Sequence, residues 1–176
     1  AKLVGLSFSW AIGEAAYIPL GHKSSDKQLS FETVFKGLDP WFESDNVKVA
    51  HNLKYDRHIL ANYKISLKGS LQDTLLQSYV LEAHLRRDLG SLAARHLNRV
   101  GLSYEQLVGK GVKRICFSEV KIDLAAQYSC EDSDFTFHLH KILTQKLNKE
   151  DLLKVYSEIE VPCLSILFDM ERLGIC

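Results

Sequence analysis

The order of apolar patterns along this chain limits its fold more than any other feature. Two runs rich in β-forming residues, Leu3 to Trp10 and Ala15 to Leu20, flank a turn at Gly13 and predict an antiparallel hairpin. Short strands are also predicted at Val47 to Ala50 and at Ser70 to Gln72, each ahead of a helical pattern. This order, in which a hairpin is followed by strand–helix alternation and then by helices, predicts an α/β layered domain.

Helical spacing of apolar residues covers most of the remaining sequence. Ser30 is the expected N-cap of the first helix, and Pro40 argues against its last turn. The predicted helices are Phe31 to Phe42, Asp56 to Tyr63, Asp73 to Ala83, Leu89 to Leu97, Ser103 to Val108, a long helix from Ser118 towards Leu147, and a final helix from Lys149 to Leu173.

Composition places the chain among ordinary globular domains. Its 176 residues suit one domain, and a formal net charge of zero argues against a strongly basic coat for nucleic acid. No apolar run approaches the roughly 20 residues needed to span a bilayer, and the N-terminus enters a strand without a signal peptide. The abrupt start suggests a fragment. The four cysteines form no Cys-x-x-Cys pair, which favours a reduced, cytoplasmic setting; they are Cys116, Cys130, Cys163 and Cys176. We expect no membrane partner.

Tyr128 and Asp132 are four residues apart in the long predicted helix, so they share one face. A carboxylate beside a phenol suits a divalent cation and a water molecule that the phenol also orients, as phosphodiester hydrolysis requires. An ordinary core tyrosine next to a solvated acid gives the same spacing. On this pair alone, the structural interpretation stays open.

Asp56 follows the predicted strand Val47 to Ala50 and begins a helix, and α/β domains collect catalytic groups at the ends of strands. An acid that stabilises the helix dipole is the alternative. Asn52, Lys54 and Tyr55 add amide, ammonium and aromatic groups, which suit phosphate, base-edge and stacking contacts.

A basic stretch with an interspersed aromatic residue suits a single-stranded backbone and a stacked base. For any one of its cations, a solvated helix face is the alternative. The stretch contains Arg86, Arg87, Arg95, Arg99, Tyr104, Lys110, Lys113 and Arg114.

These residues resemble a known family, the 3′–5′ proofreading exonuclease domain of bacterial DNA polymerase I (family A). The resemblance runs nearly end to end. It is carried by Leu3 to Phe8, Ala16 to Pro19, Asn52 to Asp56, Ile59 to Tyr63, Asp73-Thr74 and Tyr128 to Asp134, and Ile159 to Ile175 looks like the opening helix of a polymerase domain.

The resemblance implies a ribonuclease-H-like, DnaQ-type fold, with a mixed sheet flanked by helices, and two-metal hydrolysis with Mg²⁺ or Mn²⁺. By position, Asp56 and Asp132 resemble metal ligands and Tyr128 resembles the residue that orients the attacking water. The positions that resemble contacts to a single-stranded 3′ end of DNA are His51, Asn52, Tyr55, Arg86 and Tyr104. Glu131 matches the family without a role that the residues themselves suggest.

The family's first motif, an Asp-x-Glu on the first strand, would precede Leu3 and is not among the 176 residues. We therefore expect either a weakly active or inactive fragment or a part of a longer polypeptide. The predicted division is an exonuclease domain at 1–150 and the start of a polymerase domain at 151–176, in a bacterial, nucleoid-associated protein of DNA replication and repair.

Two alternatives share much of this pattern. One is a non-catalytic scaffold domain of a family A polymerase, which would not need Asp56, Tyr128 and Asp132. The other is an RNA exonuclease of the ribonuclease D type, against which the polymerase-like tail from Ile159 argues.

Overall fold

The strands form two separate two-stranded sheets in the computed structural model, which describes residues 2–175. The predicted hairpin consists of β1 (Gly5–Ala11) and β2 (Glu14–Pro19), which pair antiparallel. β3 (Lys48–Ala50) and β4 (Leu71–Asp73) pair parallel. The α/β class is confirmed, but the antiparallel and parallel pairs are not joined into one mixed sheet within the described residues.

Two glycines are required by the geometry of the hairpin. Gly13 turns the chain with a φ of 81°, which residues with a side chain rarely adopt. A side chain at Gly5 would collide with the phenol of Tyr17. The hairpin therefore needs glycine where the Tyr17 side chain crosses β1.

The helices follow the predicted pattern with shifted ends. The described helices are α1 (Phe31–Phe42), α2 (Leu53–Ala61), α3 (Thr74–Glu82), α4 (Leu89–Leu92), α5 (Tyr104–Val108), α6 (Ile122–Lys149), α7 (Leu153–Val155) and α8 (Val161–Leu173), with π-helical turns at Ala93–Leu97 and Tyr156–Glu160 and 3₁₀ turns at Gly111–Lys113 and Phe117–Glu119.

One helix keeps its predicted bounds, and two others differ from theirs. α1 begins at the predicted cap, where Ser30 accepts a hydrogen bond from the Thr33 N–H. It continues through Pro40, because Phe42 in the last turn is buried with 3% of its surface exposed. The long helix starts after Ser118, which lies in a 3₁₀ turn, and the final predicted helix is interrupted by the π-helical turn at Tyr156–Glu160.

Helix α6 is the central element, and it packs against both β1 and β3. Near its N-terminus, the fully buried Ala125 belongs to a cluster with Leu107, Val108 and Val120. Further along, Phe135, Leu139 and Leu143 pack against α4 and the π-helical turn that follows it. The segment between these two clusters contains Tyr128 and Asp132, so the predicted catalytic pair lies on the best-packed helix of the molecule.

The segment after α6 packs back on the strands and on α2. The side chain of Tyr156 is 1% exposed, and its hydroxyl accepts a hydrogen bond from the Asp73 N–H (2.9 Å) and donates one to Gln72 Oε1 (2.9 Å). In α8, Phe168 lies 4.0 Å below the guanidinium of Arg57. The chain reverses at Asp151, which has a φ of 56°, close to the domain boundary predicted at residue 150. Assigning the segment after it to a polymerase domain stays a prediction, and the outer limits Ala1 and Cys176 lie outside the described residues.

No helix within residues 2–175 combines the length and the apolar character that crossing a bilayer requires.

Candidate active site

Asp73 holds the loop that carries the Asn52–Asp56 motif. The parallel pairing of β3 and β4 places Ala50 beside Asp73, so the two strands end side by side. The Asp73 carboxylate is 2% exposed and accepts hydrogen bonds from the N–H groups of Asn52 (3.0 Å), Leu53 (2.8 Å) and Leu75 (2.8 Å). One buried acid therefore caps the first turns of both α2 and α3. Sequence reasoning recognised Asp73 only as part of the family resemblance, without this role.

Asp56 lies in the first turn of α2 and is exposed to solvent. Protein atoms around its carboxyl group reduce the hydration of the charged form. This loss of hydration, with the nearby charge of Asp73 as a smaller cause, raises the pKa of Asp56 to about 7.

Asp132 and Tyr128 lie together on α6, and both are half-buried. Burial raises the pKa of Asp132 to about 6; the Tyr128 phenol opposes this change and the Glu131 carboxylate adds to it. Burial and the charge of Asp132 raise the pKa of Tyr128, which is therefore a neutral phenol at pH 7. The Tyr128 phenol and the Asp132 carboxylate therefore influence each other's pKa.

Asp134, two residues further along α6, is a buried acid whose negative charge is balanced by a cation and by hydrogen bonds. Its carboxylate is buried and accepts hydrogen bonds from the Gly13 N–H (2.6 Å) and from Arg99 Nη1 (2.8 Å). Neither Asp56 nor Asp132 forms a salt bridge within the described residues. Asp132 is thus a half-buried acid without a cationic partner, and Asp56 is an exposed acid without one.

Tyr104 lies next to Tyr128. The centroids of the two rings are 6.3 Å apart, and Phe117 lies nearly parallel to Tyr104, with 6.1 Å between centroids. Glu131 Oε2 accepts a hydrogen bond from the Leu102 N–H (3.0 Å), which fixes the loop leading into α5. Glu131, for which the sequence suggested no role, therefore holds Tyr104's helix against the predicted catalytic pair.

The remaining predicted contacts to nucleic acid lie around the start of α2 and the end of α3. Asn52 is the exposed N-cap of α2, with a φ of 63°, and Tyr55 is 59% exposed. His51 Nδ1 lies 2.9 Å from Thr74 Oγ1, and loss of hydration lowers the pKa of this imidazole. Arg86 is exposed, and its carbonyl oxygen accepts a hydrogen bond from Arg95. Within residues 2–175, no hydrogen bond or salt bridge joins this group to Tyr104, Tyr128 or Asp132.

Some of the cations predicted to contact nucleic acid form ion pairs within the protein, and others do not. Lys54, expected near phosphate, is bound by Glu171 of α8 at 2.5 Å. In the basic stretch, ion pairs form between Arg95 and Glu82, between Arg99 and Asp134, and between Lys110 and Glu105. Within the described part of the chain, Arg86, Arg87, Lys113 and Arg114 form no salt bridge.

Residues 2–175 contain no group of three or more His, Cys, Asp or Glu side chains placed to hold a metal ion. The chemistry of the available donors nevertheless suits a hard divalent cation. Asp56 and Asp132 offer carboxylate oxygens, the ligands preferred by Mg²⁺, and their raised pKa values reflect a charge that lacks a counter-ion.

Comparison with known proteins matches the chain to one family along most of its length. The family model described as 3′–5′ exonuclease matches residues 1–148. DNA polymerase I of Pseudomonas aeruginosa is 39% identical over 181 residues, which cover 99% of this chain and 20% of that protein. DNA polymerase I of Chloroflexus aurantiacus is 35% identical, with coverage of 99% and 19%. The chain thus spans about a fifth of the length of these relatives.

Two solved structures support the fold. The chain is similar to the POL domain of Pol1 from M. smegmatis in complex with DNA primer-template and dNTP, with a TM-score of 0.72, 23% identity, and coverage of 97% of this chain and 25% of that one. It is also similar to Brucella melitensis NrnC with bound Mg²⁺, with a TM-score of 0.68, 16% identity and coverage of 99% and 77%. Together with the family match, these likenesses show that the chain belongs to the ribonuclease-H-like 3′–5′ exonuclease domains of the DNA polymerase I family.

Proposed function

We propose that this domain removes nucleotides from the single-stranded 3′ end of DNA, as the proofreading activity of a DNA polymerase I. The observation that carries the proposal is the pair of uncompensated carboxylates, Asp56 and Asp132, with the Tyr128 phenol beside the second. A scaffold domain would not need two acids with raised pKa values and no cationic partner, since a raised carboxyl pKa lowers the stability of the fold at neutral pH.

Each residue has a proposed task. Asp56 and Asp132 would hold divalent cations, Mg²⁺ or Mn²⁺, which supply charge neutralisation at the attacking and leaving oxygens. Tyr128, a neutral phenol, donates its proton in a hydrogen bond that orients the attacking water. Asp73 and Glu131 act by position: the first fixes the loop of Asp56, and the second fixes the helix that bears Tyr104.

The proposed path of the single strand crosses the exposed groups next to these acids. His51, Asn52, Tyr55 and Arg86 would contact the terminal nucleotides, and Tyr104 would offer its ring to a base. The segment Leu153–Leu173 would lead into the polymerase domain of the same polypeptide, which we propose as the domain's structural partner. The scaffold and ribonuclease D alternatives are not better supported by these observations.

The test is hydrolysis of a single-stranded oligodeoxynucleotide, with Mg²⁺ or Mn²⁺, by a polypeptide that carries this domain together with the family's Asp-x-Glu motif. We expect Asp56→Asn and Asp132→Asn each to abolish hydrolysis. Asp123→Asn, which changes an exposed acid in the first turn of the same helix α6, should leave it unchanged. Hydrolysis that survives in Asp132→Asn at the level of Asp123→Asn would refute the role of Asp132.

A further inference from the structure

A recess outside the proposed catalytic pair lies between α5 and the turn that follows it. Residues between positions 104 and 114 line an open cavity of about 330 Å³. We call it the α5 recess. Tyr104 forms one wall, Gly109 and Gly111 shape the turn, and Lys110 and Arg114 provide cationic side chains.

The recess combines an aromatic face with a guanidinium group that has no acidic partner in the described residues. Tyr104 is 40% exposed, and the guanidinium of Arg114 lies over its ring, 5.5 Å from the centroid. Lys110 Nζ is bound to Glu105 Oε2 at 2.6 Å, in an ion pair that is exposed on both sides. Of the two cations in the recess, Arg114 is therefore the one available to an anion.

This combination matches one unit of a nucleic acid strand. A base or sugar packs on an aromatic ring, and a guanidinium forms strong, paired hydrogen bonds with a phosphate. The recess also adjoins the proposed site, because its wall residue Tyr104 lies 6.3 Å from Tyr128, measured between ring centroids. A strand whose end lies at Tyr128 and which passes Tyr104 next reaches Arg114.

We propose that the α5 recess binds a nucleotide upstream of the 3′-terminal one, with the phosphate on Arg114. The nature of the ligand rests on the proposed function, whereas the position of the contact rests on the geometry of the recess. Glu105 limits the affinity, because its carboxylate occupies Lys110 and repels a phosphate in the same cavity.

Opposite effects are therefore expected from two substitutions in one recess. Arg114→Ala removes the phosphate contact and weakens binding. Glu105→Gln removes the repulsion and releases Lys110, so it strengthens binding. Arg114→Lys keeps the positive charge without the planar guanidinium. Comparing it with Arg114→Ala therefore distinguishes the loss of charge from a disturbance of the turn.

The experiment measures binding of a short single-stranded oligodeoxynucleotide with a free 3′ end by fluorescence anisotropy, in EDTA and over a range of salt concentrations. Arg114→Ala should bind about tenfold more weakly, the loss of one charge-assisted contact. The slope of log affinity against log salt should fall by about 0.7, the value for one phosphate on a single strand. Arg114→Lys should retain the slope, and Glu105→Gln should bind more tightly than the unchanged protein.

The matched control is Lys36→Ala, which removes an exposed cation of α1. If Arg114→Ala and Lys36→Ala have the same affinity and salt slope, or if Glu105→Gln does not tighten binding, the proposal is overturned. Binding in EDTA is measured separately from metal-dependent hydrolysis. A failure of the Asp132→Asn test would refute the catalytic assignment, and only the anisotropy data decide on the recess.

Discussion

Asp73 provides the most demanding test of how the candidate site is held together. Replacing it with alanine removes three hydrogen bonds, from the N–H groups of Asn52, Leu53 and Leu75. The first turns of α2 and α3 both lose their capping carboxylate. Leu53 is 2% exposed, so water cannot replace the acceptor for its N–H.

The magnitude follows from these contacts. Losing a capping side chain costs about 0.5–2 kcal/mol for each helix, and a buried N–H left without an acceptor costs about 1–3 kcal/mol. Water can restore part of the loss at Asn52, which is exposed. We therefore expect Asp73→Ala to lower the free energy of unfolding by about 3 kcal/mol.

The assay is urea unfolding followed by the fluorescence of the two tryptophans, Trp10 and Trp41. Asp73→Asn keeps one oxygen acceptor and should fall between the alanine variant and the unchanged protein. Asp39→Ala, which removes an exposed acid near the end of α1, is the control and should change little. An Asp73→Ala variant that unfolds together with Asp39→Ala would refute the assignment of Asp73 as the shared cap.

Three further predictions follow from individual side chains. In metal-free buffer at pH 7.5, Asp132→Asn should be more stable than the unchanged protein by at most about 3 kcal/mol, because the pKa of Asp132 is raised from 3.8 to about 6. A raised folded-state pKa contributes stability below pH 3.8 that is lost as the pH rises through about 6. The difference in unfolding free energy between Asp132→Asn and the unchanged protein, measured by urea unfolding, should therefore be smaller at pH 4.5. A difference that does not depend on pH would contradict the raised pKa. Tyr156→Phe should lose about 1–2 kcal/mol of unfolding free energy with its two hydrogen bonds, and unchanged urea unfolding would argue against them. Tyr104→Ala should weaken binding of single-stranded DNA by about 1–3 kcal/mol if a base stacks on the ring, and an unaltered anisotropy titration would exclude the stacking.

Features governed by neighbouring residues could be predicted from the sequence. The cap Ser30, the hairpin turn at Gly13 and the helical face shared by Tyr128 and Asp132 all depend on spacings of a few residues. The fold class followed from the order of these local patterns, and the comparisons confirm it.

Features that depend on distant pairing were missed. Asp73 acts as a cap for α2 only because β3 and β4 pair in parallel, which brings it to residues about twenty positions earlier. Lys54 looked free to bind phosphate, but Glu171 pairs with it across 117 residues of sequence. Likewise, no local pattern places Tyr104 beside Tyr128, since Glu131 fixes the loop leading into α5 through the Leu102 N–H.

The central claim is that these residues serve hydrolysis from a 3′ end. The most direct test incubates a polypeptide that carries this domain together with the family's Asp-x-Glu motif, and Mg²⁺ or Mn²⁺, with a single-stranded oligodeoxynucleotide labelled at its 5′ end, with the 3′ end either free or blocked. We predict a ladder of progressively shorter labelled products from the free end, none from the blocked end, and none from the free end with Asp132→Asn. Equal cleavage of free and blocked substrates, or an unchanged ladder with Asp132→Asn, would contradict the account.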